Sequence, residues 1–188
     1  EGVAALEWYQ SYPRKYGLDN MRSFGASFGT FASPQNAFLA GQIAMEIQGV
    51  WMYNFISKYA PGFEWGVAAF PSIEPEKYPD VTIAECDVFC IPRGAKHPAE
   101  AFEFIKFANS RGPMEKLALG HRKFSPLAEC SEGFVENHPN PYIRYFIDLA
   151  RSPNALYVPK TGLWFEYRDE IGWAYGAAYD GIETSKDA

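Results

Sequence analysis

Proline and glycine cut the apolar pattern of this chain so often that only short elements fit between the cuts. With 14 prolines and 16 glycines among 188 residues, no apolar run approaches the roughly 20 residues that span a bilayer. The uninterrupted stretches alternate in period. "VAALEWYQSYPRKYG" repeats every three to four residues, with Val3, Leu6 and Tyr9/Gln10 on successive turns, and reads as a helix stopped by Pro13 and Gly17. "SPQNAFLAG" reads as a helix with Ser33 as cap, Pro34 in its first turn and Gly41 past its end. Met45 and Ile47 then alternate with Glu46 and Gln48 as in a short half-buried strand, which Gly49 breaks. "FEWGVAAFP" is a strand ended by Pro71, and "PSIEPEKYPD" is a surface connection. "VTIAECDVFCIP" is a strand or strand pair. Four helices follow. "HPAEAFEFIKFANS" has Ala101, Phe104/Ile105 and Ala108 inward, and "GPMEKLALG" is bracketed by Pro113 and Gly120. "NPYIRYFIDLAR" puts Ile143, Phe146/Ile147 and Ala150 on one side, and "TGLWFEYRDEIGWAYGAAYDG" is long, with Trp164, Arg168, Ile171 and Tyr175 near one face. Few strands separated by helices favour an α/β class over an antiparallel sandwich.

Charge and composition narrow the function. A formal charge of −6 argues against a nucleic-acid partner, which requires a basic face. The three histidines, His97, His121 and His138, are far apart and lack ligand-like spacing, so no metal is expected. No glycine-rich phosphate loop is present, and Ser33 and Ser125 lack a nucleophile-elbow setting. Acid pairs such as Asp169-Glu170 are ordinary among 23 carboxylates, where solvated faces are the common outcome. The expectation is therefore no catalysis, no cofactor and no metal. Cys86 and Cys90 would lie roughly 13 Å apart on a strand, beyond disulfide reach, and they and Cys130 read as buried free thiols. The opening "EGVAALEWYQSY" already reads as mid-helix, so a piece of a longer chain is expected.

Two aromatic clusters remain. "GVWMYNF" falls at a strand-to-helix turn, and "LWFEYRDE" near a helix start, with Trp164 and Arg168 four residues apart on one face. Indole beside guanidinium suits a sugar, whose C–H face packs on the ring while the planar fork donates to hydroxyl oxygens. The other reading is that both tryptophans are simply core.

The order of these motifs resembles the family 1 extracellular solute-binding proteins of ABC importers, the maltose-binding-protein-like group. The resemblance rests on "FLAGQIAMEIQGVW", "EWGVAAFP", "CIPRGAKHPAEAFEFIKFANS", "KFSPL" and "LWFEYRDEI", which run over nearly the whole chain in the family's order. It implies a two-lobed α/β periplasmic-binding-protein-like fold (type II), of which this is the C-terminal part. Residues 1–82 would belong to the second lobe, 83–127 would cross the hinge into the first, and 128–188 would return. It also implies Trp51 and Trp164 as sugar-stacking residues, Tyr53 as a second aromatic, Arg168 one turn beyond Trp164, and Gly49 as a point of close backbone approach. Many members carry Gly-Gly where this chain reads "AECDVFCI", so Glu85 or Asp87 is a candidate carboxylate for ligand hydroxyls. The implied role is capture of a sugar or oligosaccharide between lobes and delivery to membrane permease subunits. The protein would act as a monomer, periplasmic or extracellular, free or lipid-anchored. A non-sugar solute such as a polyamine or glycerol phosphodiester, or a glycan-active enzyme using paired carboxylates, are the alternatives.

Overall fold

The computed structural model describes residues 2–186. Seven helices and one two-residue strand pair make up its regular structure: α1 (Gly2–Tyr16), α2 (Leu18–Ala26), α3 (Met52–Tyr59), β1 (Thr82–Ile83), α4 (Pro98–Ala108), α5 (Arg111–His121), α6 (Ile143–Ala150), β2 (Ala155–Leu156) and α7 (Trp164–Asp180). The chain divides into two compact units. One is built from its two ends, up to Thr30 and from Val158 onward, and the other from Phe31–Tyr157.

In the first unit α1 packs on α7. Leu6, Gln10 and Pro13 bury one stripe of α1, and Ala177 and Ala178 supply the small surface opposite. The pairing is tied by Gln10, whose Nε2 donates to the Ala178 carbonyl at 2.8 Å while its Oε1 accepts from the Ser185 hydroxyl at 3.1 Å. Tyr9 lies edge-on to Tyr175 and tilted against Tyr179, with centroids 5.5 and 5.1 Å away. Burial, then the neighbouring Tyr179, Asp180 and Tyr175, push its phenol pKa up. Pro13 does not stop α1, contrary to the sequence expectation. It lies in the last turn, and the chain turns only at Gly17, at φ 84°. α2, which the sequence analysis leaves unassigned, begins immediately beyond it.

In the second unit the core gathers Val50, Met52, Ile56, Met114, Ala118, Phe134, Ile143 and Leu149. β1 pairs parallel with β2, Thr82 opposite Ala155 and Ile83 opposite Leu156, and Phe70 bridges Val81. Here the structure departs from four expectations. Residues 33–41 form successive turns instead of a helix, because Asn36 Oδ1 accepts from the Phe38 and Leu39 amides and so competes with helical bonding. Met45 and Ile47 are the exposed positions of their segment, at 85% and 75%, and Glu46 and Gln48 turn inward. Residues 63–69 keep a strand-like alternation of exposure, and 84–91 run on beyond β1, but neither stretch joins a ladder among the described residues; a strand needs a neighbour's backbone groups. On α4, Ala101, Ile105 and Ala108 are partly covered while Phe104 is 59% exposed. The cysteines are free thiols but not buried ones: Cys86 and Cys90 are exposed, where their segment leaves the sheet after Ile83, and Cys130 is half-buried.

Candidate functional site

Gly49 and Val50 turn the chain into α3, and Trp51 stands at the cap position with helical φ/ψ. Its indole folds back over Gly49. A Cβ at that glycine would lie 2.2 Å from the ring carbons, so the absent side chain is what lets the indole rest on the backbone. Its Nε1 donates to Gln48 Oε1 at 3.0 Å. Gln48 in turn approaches Glu46 Oε1, which accepts from Asn36 Nδ2 at 2.9 Å. Trp51 stays 42% exposed although its orientation is held. One residue along, Tyr53 stacks on Trp65, centroids 5.8 Å apart and planes 26° from parallel. Tyr142 meets Trp65 edge-on at 4.7 Å and donates its hydroxyl to the Trp65 carbonyl at 2.7 Å. A run of three aromatic side chains results, Tyr53 from α3, Trp65 from the extended segment and Tyr142 from the entry to α6, with Trp51 two residues before Tyr53 in the chain.

The far end of α5 brings two cations to these rings. Asn54 Nδ2 donates to the His121 carbonyl at 2.8 Å and ties α3 to the end of α5. Arg122 then adopts a left-handed conformation, φ 56° and ψ 31°. Its guanidinium carbon lies 5.4 Å from the Tyr53 centroid, and Lys123 Nζ lies 5.8 Å from the Trp51 centroid. Lys123 also reaches the exposed Asp87 at 3.4 Å. Behind them the His138 ring bonds the Lys123 carbonyl at 3.1 Å and accepts from the Asn140 amide at 3.1 Å. Desolvation lowers the His138 pKa, against the raising effect of those backbone contacts.

Of the residues anticipated from sequence, Trp51, Tyr53 and Gly49 thus come together in one unit. Glu85 lies just beyond β1 and is exposed. Trp164 and Arg168 belong to the other unit, at the start of α7. Trp164 lies 6.2 Å from Tyr167, and Arg168 sits over Phe165 at 5.2 Å and bonds Asp169 at 3.0 Å. The adjacent carboxylate holds that guanidinium. Trp65, Tyr142, Arg122 and Lys123 escaped the sequence reading. The adjacent basic pair after a helix-ending glycine in "LGHRKFSPL" was the available signal for the last two. A concavity between α4 and α5 is lined by Phe107, Pro113, Leu117 and Gly120 together with Lys116 and His121; it is open and chiefly apolar. Among the described residues no cluster of His, Cys, Asp and Glu could hold a metal ion. No helix there is long and apolar enough to cross a membrane.

No curated protein matches this sequence. A solved structure, CpMnBP1 with mannobiose bound, superposes with a TM-score of 0.77 at 23% identity, over 98% of this chain and 46% of that one. The chain therefore spans about half the length of that structure and shares its fold, in agreement with the fold expected from the resemblance. Residues 1–131 match the family model of the bacterial extracellular solute-binding proteins, and the chain belongs to that family.

Proposed function

We propose that this chain is the capturing component of an ABC importer that takes up a sugar or oligosaccharide. The observation carrying this reading is Trp51, which is oriented by Gln48 over Gly49 yet still exposed. An oriented, solvent-facing indole offers a flat apolar surface to the C–H face of a pyranose. The mannobiose in the related solved structure supports the same ligand class. Trp164 and Arg168 on α7, and Glu85, are proposed as further ligand contacts on the strength of the resemblance.

In this reading residues 1–82 and 128–188 form the second lobe of the whole protein, and 83–127 enter the first. Ligand held by both lobes stabilises a closed state, which requires tighter binding to closed than to open. The chain binds and releases without chemistry and hands its cargo to permease subunits. It works as a monomer outside the cytoplasmic membrane, periplasmic or lipid-anchored.

The test is a thermal-shift panel on the full-length protein with mono- and oligosaccharides, polyamines and glycerol phosphodiesters. A ligand that binds only the folded state raises Tm, by about 2.7 kcal/mol of stabilisation at a hundredfold excess over Kd. A sugar shift that vanishes in folded Trp51→Ala and Trp164→Ala supports the reading. Shifts with polyamines alone, or a sugar shift indifferent to both changes, would overturn it.

A further inference from the structure

The two cations at the end of α5 point beyond a neutral sugar. α5 and α7 end alike: the residue after the helix turns left-handed, and the next amide reaches back five residues, Lys123 to Ala118 and Ile182 to Ala177. At α7 the left-handed residue is Gly181, φ 70°, the residue type that adopts this conformation without strain. At α5 the same place is held by Arg122, φ 56°. An L side chain is disfavoured there, and an outlier of this kind is a reason to look for function. The strained backbone sets the guanidinium of half-buried Arg122 over the Tyr53 ring. Among the described residues no carboxylate pairs with it, whereas the neighbouring Lys123 has Asp87. A guanidinium lacking a counter-charge favours an incoming anion, and its planar fork matches a carboxylate or phosphate.

Resting on the carbohydrate reading above, we infer that this site takes a saccharide bearing an anionic group, a uronate or a sugar phosphate. Arg122 is the residue that selects for it. Lys123, over Trp51, adds a second cation that the ligand competes for with the exposed Asp87. The sugar face meets the exposed Trp51 indole, and its acidic substituent meets the fork at the end of α5.

The experiment compares three probes by calorimetry on the full-length protein: mannobiose, its uronate counterpart dimannuronate, and mannose 6-phosphate. The expected result is an anionic probe binding roughly ten- to hundredfold tighter than mannobiose at low salt, the range of a charge-assisted hydrogen bond. That preference shrinks at 0.5 M salt, where screening is strong, and disappears in Arg122→Gly. This variant removes the guanidinium and also relieves the left-handed strain, so its Tm should hold or rise. Should it nevertheless fail to fold, the salt dependence and Lys123→Gln decide. Tighter binding of the uronate or of the phosphate identifies which anion the site takes. Equal binding of mannobiose and both anions, or a preference that survives Arg122→Gly and high salt, overturns the inference and leaves the sugar reading standing. No binding of any of the three, with the protein folded, overturns this inference, and the oligosaccharide panel above then decides the sugar reading by itself.

Discussion

Gly49 shows how one missing side chain can place another. The ideal Cβ position at residue 49 falls 2.2–2.5 Å from three ring carbons of Trp51, far inside contact distance. Gly49→Ala must therefore swing the indole away and break its bond to Gln48. The conflict is with the far edge of a side chain and not with backbone, so the fold should survive. The expected cost is about 1–2 kcal/mol, for one lost hydrogen bond and one displaced rotamer. Ligand affinity should fall together with the near-ultraviolet circular dichroism of the held indole. A variant with the parent's near-ultraviolet spectrum and affinity would show that the indole is not held by this contact. Gly49 was legible in the sequence as a point of close approach. What fills the space above it was not, because that depends on the χ angles of a residue two positions away.

At the scale of elements, His138 connects two pieces of the second unit. Its ring bonds the carbonyl of Lys123, just past α5, and accepts from the Asn140 amide three residues before α6. Burial holds its folded-state pKa below the ordinary histidine value. The unfolded chain therefore takes up the proton first as pH falls. The stability contribution of neutral His138 is complete above about 6.5 and is lost as pH drops from there through the depressed folded value. Denaturant midpoints should fall between pH 7.5 and 5.5 in the parent, and that part of the slope should be missing in His138→Gln. An identical slope in both proteins would assign the acid sensitivity to other groups. Elements such as α6 and α7 could be read from sequence because a period of 3.6 is a local property, as in Ile143, Phe146 and Ile147. The strand segments could not, because pairing depends on backbone far along the chain: Thr82 finds Ala155, while 63–69 alternates without joining a ladder among the described residues. The 33–41 segment misled for a local reason, the Asn36 side chain capping Phe38 and Leu39. The aromatic half of the candidate site was visible as "GVWMYNF". Its cationic half depends on a left-handed residue and on the Asn54 bond to His121, which no spacing rule encodes.

For the molecule as a whole, the unit built from both chain ends carries the largest entropic burden. Bringing α1 to α7 closes a loop of about 150 residues, and the length-dependent part of that closure is about 4 kcal/mol. What opposes it is modest: the Leu6 stripe against Ala177 and Ala178, the Tyr9 contacts with Tyr175 and Tyr179, an ion pair from Arg22 to Asp180 at 2.7 Å, and the Gln10 node. The ion pair is largely exposed and adds little. Gln10 is then the sensitive point, since Gln10→Ala leaves the buried Ala178 carbonyl and Ser185 hydroxyl without that partner, at about 1–3 kcal/mol. Because α1 and α7 hold each other, their protection should fall together. Hydrogen exchange of Gln10→Ala should show both helices exchanging faster by a similar factor, with α3 and α6 unchanged, as expected for a cooperative unit at the low-stability end of the fold. Acceleration confined to α1 would mean that α7 does not depend on this pairing. Acceleration reaching α3 and α6 would mean that the molecule opens as one.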